Sequence, residues 1–229
     1  MKQLLIGTKN TGKLKEIKSI LGKTPFKLIS LQSIKNIPKI KETGKTYQAN
    51  ALQKARILVK AIGLPVLAED SVLEVKALGN KPGIYSARYS GVSQNRRQRD
   101  KIRPYERREK NATPERNNQK LLKELAMVPS GKRTARYRCV AVLMVPEDKR
   151  QKIKCRMKIT EGICKGKIGF APSGKNGFGY DPLFIPDGYR KTFGELSEGI
   201  KNRISHRARA IRKLIPVIKN YLISHTFTR

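Results

Sequence analysis

The stretch QLLIGTKNTGKLKEIKSILG, residues 3–22, decides the fold class of this chain. Its first five residues can form a short buried strand, and residues 11–22 then carry four apolar side chains at helical spacing before a glycine. The turn between them reads G-T-K-N-T-G-K from Gly7, which fits the phosphate-loop pattern G-x-x-x-x-G-K. A strand, a glycine-bearing loop and a helix in this order predict an α/β protein that binds phosphate.

The phosphate loop departs from its pattern at the next position. A Ser or Thr hydroxyl normally follows the lysine and holds Mg²⁺, but this chain has Leu14 after Lys13. We therefore expect the loop to bind phosphate and a different part of the chain to bind the metal.

The remainder of the chain alternates between strand and helix patterns. The strand candidates are 26–31, 64–75 (a short apolar strand over 64–68 that ends on two carboxylates), 134–145, 152–168 and the end of the glycine-rich stretch 175–186. The helix candidates are 46–63, 117–128 and 205–222, the last of them bent near Pro216. Interleaved strands and helices predict an α/β fold with a mixed sheet.

The charge of the chain is strongly positive. Fifty-one basic and 17 acidic side chains give a formal net charge of +34 over 229 residues, spread from Lys2 to Arg229. Such a field attracts polyanions, including nucleotides, polyphosphate and RNA, without choosing among them. The segment 92–116 has nine Lys or Arg against four Asp or Glu and no apolar periodicity, so we interpret it as an exposed loop or charged helical excursion.

Several classes of protein are disfavoured. No apolar run approaches the length of a membrane span, and the seven residues before the first turn are too few for a secretory signal. The three cysteines are an odd number without a C-x-x-C pair, which indicates reduced structural thiols. We expect a cytoplasmic protein with no membrane partner.

Carboxylates are scarce, so their positions are informative. Glu69 and Asp70 stand where the strand 64–68 is expected to end, and Glu42 lies in the turn before the long helix. Ligands of open α/β sheets bind at the carboxyl ends of strands, and Mg²⁺ prefers carboxylate oxygens. We predict a metal site there, with Lys13, Lys54 and the amides of residues 8–13 holding phosphate; a solvated turn is the alternative for the two adjacent carboxylates.

Five separated motifs, in order, resemble the inosine/xanthosine triphosphate pyrophosphatase family. They are TKNTGKLKE (8–16), ETGKTYQANALQKA (42–55), LPVLAEDSVLEVKALGNKPGIYSARYSG (64–91), GFGYDP (177–182) and ISHRARA (204–210). The resemblance implies a two-lobed α/β fold, a long mixed sheet with a central nucleotide cleft, formed by one domain over 1–229 with a basic insertion at about 92–116. It also implies a homodimer that hydrolyses ITP, dITP and XTP to the monophosphate and pyrophosphate with Mg²⁺.

The resemblance also implies roles for individual residues. Asp70 would bind the metal and orient or deprotonate the attacking water, Glu42 would be the second metal ligand, and Lys13 and Lys54 would neutralise the triphosphate. Phe178 would stack on the purine, and Arg207, backed by His206, would donate to its 6-oxo group. The implied substrate-binding residues are Thr8, Lys9, Asn10, Thr11, Gly12, Lys13, Ser71, Phe178, Gly179, Tyr180, Asp181, Lys201, His206 and Arg207.

Three positions depart from the family pattern. Glu69-Asp70 replaces two aspartates, Val72 replaces a glycine, and Ala49-Asn50 replaces Glu-Asn. We expect these changes to affect rate and metal geometry rather than reaction type.

Two alternatives remain open. One is a basic RNA- or polyphosphate-binding protein on an inactive nucleotidase fold, in which nucleic acid would be the primary rather than a secondary partner. The other is a related pyrophosphatase of modified pyrimidine triphosphates, against which the Ser-His-Arg motif at 205–207 argues.

Overall fold

The computed structural model describes residues 2–40, 42–91, 112–147 and 155–223. The strands are β1 (Gln3–Ile6), β2 (Lys27–Ser30), β3 (Val66–Val75), β4 (Lys81–Gly83), β5 (Thr134–Pro146), β6 (Cys155–Ile168) and β7 (Phe184–Pro186). The α-helices are α1 (Thr11–Leu21), α2 (Tyr47–Ile62), α3 (Pro114–Glu124), α4 (Glu198–Ile204), α5 (His206–Arg212) and α6 (Ile215–Ile223). The α/β prediction is confirmed.

The sheet is mixed, as predicted. Its order is β2-β1-β3-β5-β6-β7, with β4 paired to β3. β1 runs parallel to β2 and to β3, whereas the β3–β4 and β6–β7 pairs are antiparallel. The β1–α1–β2 segment and the return through α2 to β3 both bring parallel strands beside β1, which is the arrangement that a helical crossover requires.

The prediction that the strand ends before Glu69 was wrong. β3 continues through Asp70 to Val75. Its pairing with β1 stops at Ile6–Leu67, and its pairing with β4 begins at Leu73–Gly83. Glu69 and Asp70 therefore lie between the residues of β3 that pair with β1 and those that pair with β4, and the apolar residues that follow them extend the strand because β4 is a new antiparallel partner.

The chain divides into two compact units, and the first comprises residues 1–70, 139–162 and 206–229. Helices cover both faces of its strands. One buried cluster joins Leu4 and Ile6 of β1 to residues of α1, α5 and α6, and another joins Leu5 to α2. Alternate residues of β5 enter the two clusters, which explains the unbroken apolar run from 139 to 144.

The second unit comprises residues 71–138 and 163–205. Its core is more aromatic: Tyr137, Phe184 and Phe193 pack with ring centroids 4.7 and 6.4 Å from Tyr137. Leu121 and Leu125, from α3 and the residue after it, are completely buried in the same cluster.

Two helix predictions need comment. The helix predicted over 117–128 ends at Glu124 and begins earlier, at Pro114, because Thr113 caps α3 by accepting the N–H of Arg116 at 3.3 Å and Pro114 follows at the first helical position. The end of the segment 92–116 is thus helical, one of the two alternatives that we predicted, and residues 92–111 lie outside the described part. The interruption of the last helix near Pro216 is confirmed, since α5 ends at Arg212 and α6 begins at Ile215. No helix in the described ranges is long and apolar enough to cross a membrane.

Candidate active site

The glycine-bearing loop after β1 delivers a capped helix N-terminus. Asn10 is the N-cap of α1, and its Oδ1 accepts the N–H of Lys13 at 2.9 Å. Thr8 Oγ1 in turn accepts the N–H of Asn10 at 3.2 Å. No acidic residue lies in the first turn of α1, so the positive end of the helix dipole faces solvent unopposed by its own side chains. The other predicted loop residues, Lys9, Thr11 and Gly12, lie in this same segment.

Lys54 of α2 connects two of the predicted carboxylate positions. Its Nζ lies 2.9 Å from Glu42 Oε1 and donates to the main-chain oxygen of Glu69 at 3.1 Å. Burial alone disfavours the charged form of Lys54, but the carboxylates of Glu42, Asp70 and Glu69 outweigh burial and raise the pKa of Lys54. Lys54 therefore stays a cation among three carboxylates.

Glu69 is the buried centre of the charged cluster in unit 1. Its side chain is 1% exposed, and its Oε1 lies 2.8 Å from Lys13 Nζ. Its Oε2 lies 3.6 Å from Arg207 Nη2 and accepts the Cys139 thiol at 3.6 Å. Burial by itself raises the pKa of Glu69, but Lys13, Arg207 and Lys54 lower it well below its usual range.

Asp70, the next residue, has the opposite titration behaviour. Burial raises its pKa most, Lys54 and Lys13 lower it, and the carboxylates of Glu42 and Glu69 raise it again, to about 6. Two adjacent carboxylates thus titrate in different pH ranges: Glu69 stays an anion well below its usual range, whereas Asp70 gains a proton near pH 6. Pairs whose environments separate their pKa values are typical of acid–base sites.

The side chain of Arg207 lies against two carboxylates. Its guanidinium is 2% exposed, and Nη1 donates to Glu16 while Nη2 faces Glu69. Burial lowers the pKa of Arg207 on its own, yet Glu69 and Glu16 raise it overall. His206, also buried, begins the same helix, α5, directly after the completely buried Ser205. Base recognition by Arg207 and His206 stays a prediction.

The predicted base-stacking residues lie in unit 2. Asp181 is buried, and its Oδ2 accepts the N–H of Phe178 at 2.7 Å and binds Lys201 Nζ. Lys201 Nζ also lies 4.8 Å from the centroid of the Phe178 ring. Gly177 has φ +76°, and a Cβ there would lie 2.1 Å from Asp181 Oδ2, so only glycine fits the turn before Phe178.

The remaining predicted residues of unit 2 surround this turn or begin the unit. Tyr180 is buried and donates from its hydroxyl to the main-chain oxygen of Ser86 at 2.9 Å. The main-chain oxygen of Gly179 accepts from Asn118 Nδ2 at 3.1 Å. Ser71, partly exposed in β3, is the first residue of the unit.

Sequence reasoning missed the roles of two site residues. It counted Glu69 with Asp70 among the carboxylates of the predicted metal site and as a departure from the family pattern but did not expect it to bind Lys13 and Arg207, and it gave Glu16 no role. Both carboxylates reach the cluster from elements that already carried predicted residues: Glu16 lies one helical turn after Lys13 on α1. That spacing, which places both side chains on one face, was the available signal.

The carboxylates suit a divalent cation that substrate helps to bind. Within the described ranges, no group of three His, Cys, Asp or Glu side chains could hold a metal by itself. Mg²⁺ typically takes one or two protein carboxylates and completes its shell with water and substrate phosphates. Glu42 and Asp70 both act on Lys54, and Glu42 raises the pKa of Asp70. A cation would relieve that repulsion, so the residues fit the ion.

Fold and cluster together define a class: α/β proteins in which lysines and carboxylates gather beside a capped helix N-terminus, as a metal-bound polyphosphate requires. A sequence model of the Ham1 family matches residues 4–217. The chain belongs to the Ham1 family.

Individual relatives are similar to this chain over almost its whole length. A protein of Geobacter sulfurreducens named dITP/XTP pyrophosphatase is 43% identical over 214 residues, 93% of this chain and 95% of that protein. A protein of the same name from Bacillus licheniformis is 42% identical over 93% of this chain and 96% of its own length. The solved structure of a HAM1 protein from Coxiella burnetii superimposes with a TM-score of 0.76 at 36% identity, covering 95% of this chain and 98% of that one.

Proposed function

We propose that this protein hydrolyses deaminated purine nucleoside triphosphates, namely ITP, dITP and XTP, to the nucleoside monophosphate and pyrophosphate. The observation that carries the proposal is the cluster in which Lys54 contacts Glu42 and the main chain of Glu69, while Lys13 contacts the Glu69 side chain. The names of the relatives supply the substrate class. They give no support to a pyrimidine substrate or to RNA binding as the main function.

The proposed reaction is attack of water on the α-phosphorus. A new P–O bond forms there, the bond from the α-phosphorus to the oxygen bridging to the β-phosphorus breaks, and pyrophosphate leaves with the electron pair. Lys13, Lys54 and the first amides of α1 bind the triphosphate and stabilise the charge that develops on the leaving group. Asp70 orients the water and accepts its proton.

Mg²⁺ is the cofactor we propose, with Glu42 and Asp70 as its protein ligands. When bound, the ion would supply positive charge to the triphosphate and make the reacting phosphorus more electrophilic. Glu69 stays with Lys13 and Arg207 in this scheme and does not bind the ion.

We propose roles in base recognition for two separate sets of residues, one in each unit. In unit 2, Phe178 offers a ring face, with Asp181 and Lys201 fixing its loop. In unit 1, His206 and Arg207 are the first two residues of α5, and their side chains are donors, which matches the 6-oxo group of hypoxanthine and xanthine. Adenine presents a donor amine there and would leave donors unpaired, which costs orders of magnitude in rate.

A substrate panel tests the proposal. Purified protein with MgCl₂ should release pyrophosphate from ITP, dITP and XTP much faster than from ATP and GTP, and EDTA should stop the release. TTP and UTP in the same panel test the pyrimidine alternative. Equal rates with all seven nucleotides, or no release, would refute the substrate assignment.

Three further expectations belong to this proposal: a single pyrophosphatase domain over the whole chain, a homodimer and a cytoplasmic location. Light scattering coupled to gel filtration measures the oligomeric state directly.

A further inference from the structure

One face of α2 fastens the loop that carries Glu42. Asn50 Oδ1 accepts the N–H of Gly44 at 2.7 Å. Gln53 makes two contacts with Thr43: its Oε1 accepts the N–H at 3.2 Å, and its Nε2 donates to Oγ1 at 2.9 Å. Lys54 follows with its ion pair to Glu42. Positions 50, 53 and 54 share one helix face, so three successive loop residues meet three successive side chains of that face.

The close approach of the loop to α2 depends on the glycine at position 44. A Cβ at Gly44 would lie 2.6 Å from Asn50 Oδ1 and 2.8 Å from the Cβ of Ala49. Neither distance is tolerable, so a side chain at position 44 would push the loop away from α2. The helix itself is anchored at its first turn, where the Tyr47 hydroxyl donates to Glu161 Oε1 at 2.8 Å.

Asn50 is an unusual choice for its position on α2. It is 2% exposed, asparagine is a poor helix former, and a buried amide destabilises the fold unless it is hydrogen-bonded. The helix gains nothing from it that alanine would not provide. Asn50 Oδ1 instead accepts the N–H of Gly44, so its benefit lies in holding the loop.

We propose that Asn50 and Gln53 are positioning residues that preorganise Glu42 for a divalent cation. This inference rests on the proposed function, in which Glu42 is a metal ligand. The ion pair of Lys54 with Glu42 is made to the carboxylate and not to the main chain of the loop. That contact changes whenever the carboxylate binds another partner. Asn50 and Gln53 hold main-chain N–H groups of the next two residues, so the loop stays in place through such an exchange. A loop ordered in advance loses less entropy on binding.

The test compares Gln53→Leu with Gln53→Glu and with Gln48→Leu. Gln53 is half-buried, so its variants should fold; Gln48 is an exposed glutamine on the same helix and serves as the matched control. Gln53→Leu removes both contacts with Thr43. Gln53→Glu keeps an acceptor for the Thr43 N–H, and the Thr43 hydroxyl can donate to the new carboxylate. Asn50→Ala is the companion variant at the buried position.

The first measurement is amide hydrogen exchange at Thr43 and Gly44 in metal-free protein, followed by NMR. We expect exchange at Thr43 to rise about tenfold in Gln53→Leu and to return towards wild type in Gln53→Glu, since one or two hydrogen bonds are lost and regained. Exchange at Gly44 should rise in Asn50→Ala. Gln48→Leu should match wild type.

The second measurement is titration with Mn²⁺ in the presence of an α,β-methylene analogue of ITP, followed by electron paramagnetic resonance of the ion, because the site is proposed to bind the ion together with substrate phosphates. Mn²⁺ affinity should fall about three- to tenfold in Gln53→Leu and in Asn50→Ala. Gln53→Glu adds a negative charge that can itself attract Mn²⁺. The recovery expected of this variant is therefore judged from amide hydrogen exchange at Thr43 alone.

Each outcome decides the inference. Unchanged exchange in Gln53→Leu would overturn it, and so would faster exchange with unchanged Mn²⁺ affinity. Failure of the wild type to bind Mn²⁺ would overturn the metal site of the proposed function and this inference with it. Binding by the wild type and equally by both variants would overturn this inference alone.

Discussion

Glu69 Oε1 lies 2.8 Å from Lys13 Nζ, and the Glu69 side chain is 1% exposed. The lysine that completes the phosphate loop is therefore held by a buried anion rather than extending freely into solvent. The same carboxylate faces Arg207, so one residue that departs from the family pattern balances two cations of unit 1.

Glu69→Gln should destabilise the protein and impair catalysis. It leaves the buried Arg207 with one carboxylate fewer and Lys13 without its anion, and breaking a buried pair costs about 3 kcal/mol or more. For a chain of this size that lowers Tm by roughly 6–12 °C. Thermal unfolding and pyrophosphate release measure the two effects.

Two variants serve as controls for that prediction. Glu69→Asp keeps the charge and restores the usual family residue, so it should retain most stability and activity. Glu74→Gln changes a glutamate of the same strand whose partners, Arg136 and Arg138, are 42% and 24% exposed, so it should cost less stability than Glu69→Gln. If Glu69→Gln lowered Tm no more than Glu74→Gln does, the buried carboxylate of Glu69 would have no structural importance.

Asp70→Asn should abolish most turnover yet stabilise metal-free protein at neutral pH. The folded pKa of Asp70, about 6, is above the usual aspartate pKa, so the folded state binds more protons than the unfolded state between those values and stability falls as pH rises through them. Asparagine removes that penalty, about 2 kcal/mol above pH 6.

The pH profile of Tm in EDTA tests this prediction. The variant should exceed wild type above pH 6, and the difference should shrink on acidification and vanish near pH 4. The exposed Asp187→Asn should follow wild type at every pH. An Asp70→Asn protein that is less stable than wild type at pH 7.5 would contradict the assigned titration.

Lys201→Met should disorder the turn that carries Phe178. It leaves the buried Asp181 carboxylate without its cation, which destabilises unit 2 by about 3 kcal/mol. The double variant Lys201→Met/Asp181→Asn should recover part of the loss, because both partners are then neutral. Hydrogen exchange over residues 177–180 and KM for ITP measure the effect, with the exposed Lys191→Met as control. Equal losses in single and double variants would show that the pair is not coupled.

Replacement of residues 92–111 by a short glycine-serine linker should leave the fold and turnover intact. The flanks are fastened to each other: Asn117 Oδ1 accepts the N–H of Ser90 at 2.7 Å, Lys120 Nζ donates to the main-chain oxygen of Tyr89 at 2.9 Å, and Glu124 binds the Tyr89 hydroxyl. Tm should stay within about 3 °C of wild type, less than 1 kcal/mol for this size of chain. A folded deletion variant without pyrophosphate release would give the segment a catalytic role.

The same deletion variant addresses RNA binding. Filter binding over a salt series should show only weak, steeply salt-dependent RNA binding by the wild type, as expected of dispersed charge. Tight binding near physiological salt that the deletion removes would revive the nucleic-acid alternative.

The sequence predicted elements well wherever local signals agreed. Thr46 accepts the N–H of Ala49 as the N-cap of α2, and Gly63 ends the helix in the left-handed conformation, both as expected from cap chemistry. The third strand returns beside the first, as the compact crossover through α2 requires. These features depend on neighbours in the sequence or on the compactness of a helical crossover.

The charge partners could not be predicted in the same way. Glu69 and Arg207 meet across 138 positions of sequence, and nothing in either motif shows that the guanidinium faces this carboxylate. The end of β3 was misjudged for a related reason: Glu69 and Asp70 look like a turn until the antiparallel partner of Leu73 is known. The contact between Glu69 and Arg207 and the end of β3 both depend on residues that are distant in the sequence.

The Cys139 thiol, completely buried and donating to Glu69, makes the charged cluster observable without substrate. A thiol in that position reacts with alkylating reagents only when the surrounding packing opens. The rate at which Cys139 is labelled in the intact protein therefore measures how often the packing around the charged cluster opens transiently. Ligands that hold this packing closed should lower the labelling rate.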